Sequence, residues 1–203
     1  MVTKVVVFGL STEGYNIACK MALKGADVQI IDESTPSAIS ITSDIAKTYP
    51  TVQTLKDDEP LLSMTSIDVA ISKAQILFFV PILRKTGQDI KIEINSKFKA
   101  AVTNIKKGSS IVYCLGTGFG GNSENMALLE HVTGFKVAKN ISYYYYPLPT
   151  NNELPSFIGT NSDKPNENLI ELLSNEKKPQ VIAISSSEHF HAISVLKQFS
   201  VLT

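Results

Sequence analysis

The sequence predicts an α/β domain: a doubly wound, mostly parallel sheet with helices on both faces. Three observations predict it. Short, continuously apolar runs recur, clearest at Lys4–Phe8 (KVVVF), Val28–Ile31 (VQII) and Gln75–Val80 (QILFFV), and such runs are strands buried on both faces. Stretches with helical spacing alternate with them, as the crossovers of a parallel sheet require. Glycine-rich turns stand where a strand hands over to a helix, at Gly9–Gly14 and Gly116–Gly121.

The elements follow in order. Lys4–Phe8 is the first strand, and Tyr15–Lys24 is a helix that Gly25 ends. Val28–Ile31 is the second strand and closes on Asp32. Pro36–Tyr49 is read as a helix capped by Ser34 or Thr35, and the polar Thr51–Pro60 as a short strand and loop. Ser66–Lys73 is a short helix, and Pro81 ends the strand Gln75–Val80. Ile90–Ile105 places Ile94, Phe98, Val102 and Ile105 at helical spacing. It closes on Lys106, Lys107 and Gly108, a cationic last turn with a glycine stop. Ser110–Leu115 is a strand. Ser123–Gly134 is a helix, with Ser123 or Asn122 as cap and Gly134 as stop. Lys136–Tyr146 carries a strand signal, Pro147–Pro155 is a loop and Phe157–Gly159 a short strand. Leu169–Leu173 is helical and Val181–Ser185 is the last strand. Ser185–Glu188 has the form of a capping box and opens a helix reaching about Phe199.

The length of 203 residues fits one domain over 1–203. Formal net charge is zero and no basic stripe occurs, which argues against electrostatic capture of nucleic acid. Arg84 is the one arginine, so a phosphate-bearing ligand would be held mostly by backbone. No apolar run is long enough to span a bilayer, and the start reads as a strand rather than a signal peptide. Cys19 and Cys114 fall in a helix and a strand and read as reduced core residues of a cytoplasmic protein.

The opening segment has a chemistry of its own. Strand, tight turn, helix and second strand with an acid at its tip make the Rossmann-like dinucleotide-binding unit. Gly9 permits the sharp turn, and Gly14 lets the helix pack closely on the sheet. Ser11, Thr12 and Glu13 open the helix, whose unpaired N–H groups and positive dipole end suit a pyrophosphate. Asp32 stands about 20 residues past the turn, where a carboxylate accepts bonds from a ribose and favours NAD over NADP. The middle glycine of the motif is Ser11 here, which crowds the ligand and also offers it a hydroxyl. Glu13 puts a negative charge near the phosphate position. The other reading is a βαβ unit that has lost its cofactor.

Four segments resemble the N-terminal domain of the UDP-glucose and UDP-N-acetylmannosamine dehydrogenases, the nucleotide-sugar 6-dehydrogenases. They are KVVVFGLSTEGYNIACKMALKGADVQIIDES, AISKAQILFFVP, KKGSSIVYCLGTGFGGNSENMALLEHVTG and VIAISSSEHFHAISVLKQF. The resemblance implies NAD as cofactor, with Val80 and Pro81 beside it and Thr117 at the family's threonine. It also implies a nucleotide-sugar ligand. The departures are specific. The family's Pro-Glu is matched by Tyr146-Pro147-Leu148, without the acid. The lysine and asparagine of its central helix are matched by His191 and Val195. Its nucleophilic cysteine lies in a C-terminal sugar-binding domain, and this sequence stops at Thr203. The expectation is therefore an NAD-binding, oxidoreductase-like chain whose substrate site is completed by a partner chain or a second copy, with no catalytic residue assigned. The alternative is a non-catalytic scaffold, a ligand sensor or assembly subunit.

Other groups remain open at this level. The Gly116–Gly121 loop is either an anion or ligand loop or a plain turn. His189 and His191 are two apart and share no helix face, so no metal site is expected. His191 is either a general acid or base or a partly exposed helical histidine. His131 reads as a surface residue near a helix C-terminus. One pair of Tyr143–Tyr146 should enter the core, the other meeting a ring or a partner subunit. Cys114 has no evident activating neighbour and reads as core.

Overall fold

The apolar runs become neighbouring strands in a computed structural model of the chain, which describes residues 2–33, 35–58, 64–148, 155–175 and 177–200, with side chains to Leu196. The chain opens with β1 (Lys4–Phe8), α1 (Thr12–Leu23) and β2 (Asp27–Ile31). Then come β3 (Ala38–Ile41), α2 (Ser43–Thr48), α3 (Val52–Asp58), β4 (Met64–Thr65), α4 (Ile67–Lys73) and β5 (Ile76–Phe79). α5 (Asp89–Val102), β6 (Ser110–Tyr113), α6 (Gly121–Thr133) and β7 (Ser142–Tyr145) continue the alternation. β8 (Phe157–Thr160), α7 (Glu167–Leu173), β9 (Gln180–Ile182) and α8 (Ile184–Ser200) complete it.

The sheet order is β4-β3-β2-β1-β5-β6-β7-β8-β9. Its centre, β2-β1-β5-β6-β7, is parallel throughout. The chain leaves β1 toward β2 and later crosses to β5 on the other side. That reversal opens a crevice between β1 and β5 at the carboxyl edge, where ligands bind in open α/β sheets. Successive strand residues face opposite layers. Val5, Val7, Val28, Ile30, Ile76 and Phe78 pack under α1, α2, α3 and α7. Val6, Phe8, Leu77, Phe79, Ile111 and Tyr113 pack under α4, α5, α6 and α8.

Four sequence expectations change here. Pro36–Tyr49 is not one helix: Ala38–Ile41 is a strand antiparallel to β2, and only Ser43–Thr48 is helical, capped by Thr42, whose hydroxyl accepts the Ile45 N–H. The Ala-Ile-Ser-Ile alternation and its β-branched residues suit an outer strand. Thr35 is no cap, since its hydroxyl donates to the Asp32 carbonyl, and Ser34 lies outside the described residues. Thr51–Pro60 contains the helix Val52–Asp58, whose buried Leu55 docks on the core; residues 59–60 lie outside the described residues, as do 149–154 of the expected Pro147–Pro155 loop. α6 is entered through Gly120, at φ 78°, rather than capped by Ser123 or Asn122, while Gly134 ends it at φ 70° as expected. All four tyrosines Tyr143–Tyr146 are buried, because helices cover both faces of β7. No pair is left to meet a ligand or partner.

Both cysteines are buried and unpaired, and burial pushes the Cys114 thiol far up. Tyr113 is held in the same way, its hydroxyl pushed up to about 12 by burial. Among the described residues no helix is long and apolar enough to cross a membrane.

Candidate functional site

The carboxyl ends of β1, β2, β5, β6 and β7 are knit together past their last paired residues. The Gly9 N–H donates to the Ile31 carbonyl at 2.8 Å, Val80 N–H to Phe8 at 2.9 Å, and Cys114 N–H to Phe79 at 3.1 Å. Tyr146 N–H donates to Tyr113 at 2.9 Å. This edge therefore sets Gly9, Asp32, Val80 and Pro81 side by side, and the turn carrying Thr117 leaves β6 along the same edge.

Gly9 adopts φ +123°, and a Cβ there would lie 1.9 Å from the Val80 carbonyl oxygen. Only glycine admits this approach of the turn to β5. At Gly14 a Cβ would lie 2.1 Å from the Gly9 carbonyl oxygen, so the first turn of α1 rests directly on the strand end. Ser11 is the N-cap: its hydroxyl accepts the Gly14 N–H at 3.0 Å. The cap spends the serine oxygen on the helix itself. The first-turn amides of Thr12 and Glu13 have no intrahelical acceptor, and both residues are exposed at the edge.

Asp32 is 5% exposed, and its Oδ2 accepts the Leu10 N–H at 3.0 Å. That bond fixes the carboxylate beside the turn it faces across the β1–β2 edge. The next residue, Glu33, pairs with Lys97 at 2.5 Å, and Lys97 also lies 3.4 Å from Glu93. Glu93 in turn accepts the Arg84 and Lys85 N–H groups. These bonds, the Lys85 N–H foremost and Lys97 among them, hold the Glu93 carboxyl below its ordinary range. The segment after Pro81 is thereby tied to the tip of β2. Sequence reasoning missed this cluster, because Glu33 and Lys97 lie 64 residues apart.

On the β6 side, Thr117 donates its N–H to the Tyr145 hydroxyl at 3.1 Å. Its own hydroxyl oxygen accepts from Asn122 Nδ2 at 2.9 Å. Asn122 is fully buried, and Tyr143 donates its O–H to Asn122 Oδ1 at 2.7 Å. The Ser185–Glu188 capping box does not form. α8 already begins at Ile184, and the Glu188 carboxylate reaches across to the Gly120 and Asn122 N–H groups. The two histidines of α8 diverge. His189 Nδ1–H donates to the Ser185 carbonyl at 2.7 Å and its ring lies 4.8 Å from Phe119. His191 stands edge-on to Tyr145 at 6.0 Å.

His191 is also seated against Gly116, where a Cβ would lie 2.7 Å from its Nε2. Burial lowers its pKa below the ordinary 6.5, so at pH 7 the ring is mostly neutral and able to accept a proton. Gly116→Ala is expected to push the ring outward and bring its titration midpoint back toward 6.5, at a stability cost below about 1 kcal/mol because the clash falls on a side-chain end. Proton NMR of the histidine ring checks this; an unchanged midpoint would mean that the ring does not rest on Gly116.

A cleft of about 820 Å³ lies elsewhere, along α7 between Asp163 and Lys178. Asn166, flanked by the lining residues Pro165 and Glu167, bonds Ser110 at the amino end of β6, so the cleft belongs to the opposite edge of the sheet. The site is located by topology and by the glycine contacts, not by cavity size.

Solved structures share this fold. The chain is similar to GDP-mannose dehydrogenase from Pseudomonas aeruginosa, solved as a ternary complex, with TM-score 0.69 and 15% identity over 98% of this chain and 51% of that one. It is similar to a UDP-glucose dehydrogenase from the archaeon Pyrobaculum islandicum, with TM-score 0.68 and 14% identity over 96% and 49%. A reductive aminase from Aspergillus terreus, in complex with NADPH, matches at TM-score 0.61 and 15% identity over 100% and 63%. No protein-family model matches the chain, and no curated protein matches it significantly. The chain spans about half the length of the two sugar-nucleotide dehydrogenases. The Rossmann-like class and the resemblance to nucleotide-sugar dehydrogenases are thus borne out as a matter of fold.

Proposed function

We propose that this chain binds a dinucleotide, NAD, across the β1–β5 crevice, as a relative of the cofactor domain of nucleotide-sugar dehydrogenases. One observation carries the reading. At Gly9 and Gly14 the backbone closes so tightly that no Cβ fits, and it does so beside a carboxylate fixed at the tip of β2. A plain crossover has no need of that combination. In this reading the Thr12 and Glu13 amides and the α1 dipole meet the pyrophosphate. Asp32 accepts from the ribose, Val80 and Pro81 form the floor, and Thr117 stands on the far side. When bound, the nicotinamide supplies hydride transfer. Among this chain's own residues, the neutral His191 at the same edge has the chemistry to take a proton from an alcohol. A nucleotide sugar would be held with groups from outside this fold. The buried thiols fit a reducing compartment such as the cytoplasm.

The choice of NAD over NADP rests on charge. Asp32 and Glu33 both stand at the tip of β2, and Lys97 is shared between Glu33 and Glu93. A ribose 2′-phosphate would bring a second negative charge up to the Asp32 carboxylate. Calorimetric titration of the whole chain is expected to give saturable NAD binding, with NADP weaker by about tenfold or more. Equal affinity for the two would remove the role given to Asp32, and no heat with either would overturn the dinucleotide reading.

A further inference from the structure

The turn from Gly116 to Asn122 leaves β6 and opens α6, and it gathers backbone N–H groups as an anion-binding nest does. Here the anion comes from the protein itself. Glu188 Oε2 accepts the Gly120 N–H at 3.0 Å, while its Oε1 accepts the Asn122 N–H at 3.2 Å and Asn122 Nδ2 at 2.9 Å. Glu188 is 7% exposed and belongs to α8. Its neighbour Ser187 seats α8 on β8 at Gly159, where a Cβ would lie 2.1 Å from the serine hydroxyl oxygen. The position of the carboxylate is therefore set by the packing of α8 on the sheet.

The network continues toward the crevice. Asn122 passes from Glu188 to the Thr117 hydroxyl, and its Oδ1 is held by Tyr143, which accepts in turn from Asn125 at 3.3 Å. With its oxygen accepting from Asn122 and its N–H held by Tyr145, Thr117 keeps its own O–H to donate. The geometry points to Glu188 as a built-in anionic ligand of this loop: a latch that ties α8 to the loop and positions Thr117 for the crevice. The loop's anion-binding capacity is used internally, so a phosphate or carboxylate of a bound molecule is not held there. A displacement of α8 opens the latch: it takes the acceptor from the Gly120 and Asn122 N–H groups and loosens the loop that carries Thr117. The consequence for ligand affinity rests on the dinucleotide reading; the latch itself does not.

The test is amide hydrogen exchange by NMR on the full chain, comparing wild type with Glu188→Gln and Glu188→Ala. Exchange at Gly120 and Asn122 is expected to speed up by about tenfold or more in Glu188→Ala and less in Glu188→Gln, which keeps one acceptor oxygen. Amides of Val7 and Phe78 should be unchanged. Sodium formate at about 0.1 M, against sodium chloride at the same ionic strength, should restore protection in Glu188→Ala, as a purely structural role would not. Unchanged exchange at Gly120 and Asn122, or no response to formate, overturns the latch. If Glu188→Ala does not fold, Glu188→Gln decides: selective loss at the two amides supports it, and no loss overturns it. NAD titration of the same samples separates the two readings. A wild type that binds no NAD but shows Glu188-dependent protection keeps the latch and loses the dinucleotide. A wild type that binds NAD with protection independent of Glu188 loses only the latch.

Discussion

Gly9→Ala is expected to cost about 3–5 kcal/mol of folding stability, a large part of what a domain of this kind has to lose. Two penalties act together. The residue sits at φ +123°, a region that L side chains rarely adopt, and the new Cβ would fall 1.9 Å from the Val80 carbonyl oxygen and 2.6 Å from its carbon. Both are backbone atoms of the neighbouring strand, held by the Val80 N–H bond to Phe8. The clash cannot be relieved by turning a side chain; β1 and β5 must part. Gly118→Ala is the matched control. Its φ is ordinary and nothing lies within 4 Å of the added Cβ, so a change within about 0.5 kcal/mol is expected. Urea unfolding of the two variants beside wild type checks the difference, and similar midpoints for both would contradict this account of the turn.

Asp32→Ala is expected to weaken NAD binding by about 10–100-fold, through loss of charge-assisted bonds to the ribose. It should also cost about 1–3 kcal/mol of stability, because the Leu10 N–H, buried at 3.0 Å from Oδ2, is left without that acceptor. Asp32→Asn separates the two roles. The amide oxygen still accepts from Leu10, so stability should stay near wild type, while the loss of charge weakens NAD and narrows the gap to NADP. Calorimetry and thermal melts on the same samples read both quantities. An Asn variant that binds NAD like wild type would make Asp32 a structural residue alone.

The parts of the fold set by local pattern were legible in the sequence. β1, β5 and β6 are runs buried on both faces, and that is a property of consecutive residues. The first turn was legible because Gly9, Gly14 and Asp32 do their work within one βαβ unit. The parts set by tertiary pairing were not. Ala38–Ile41 carries a strand's alternation over only four residues, too few to stand out locally, and becomes a strand because β2 offers an edge. Val52–Asp58 is polar apart from Val52 and Leu55, and becomes a helix by docking Leu55. The four tyrosines follow the alternation of a strand, yet no local signal says that helices cover both of its faces. Glu188 is the clearest case. Three residues after Ser185 it has the spacing of a local cap, while its actual partners are 66 and 68 residues away. The Gly116–Gly121 loop looked like a place for a ligand's anion because the anion that meets its N–H groups is far along the chain.

The central claim is that a dinucleotide lies across the β1–β5 crevice. Its most direct test is a titration of the isotope-labelled chain with NAD, followed by amide chemical shifts. The account predicts saturable shifts concentrated at Gly9, Ser11, Thr12, Glu13, Gly14, Asp32, Val80 and Thr117, with the amino-edge residues Asn166 and Ser110 silent. Shifts centred away from the carboxyl edge, or none that saturate, would contradict it.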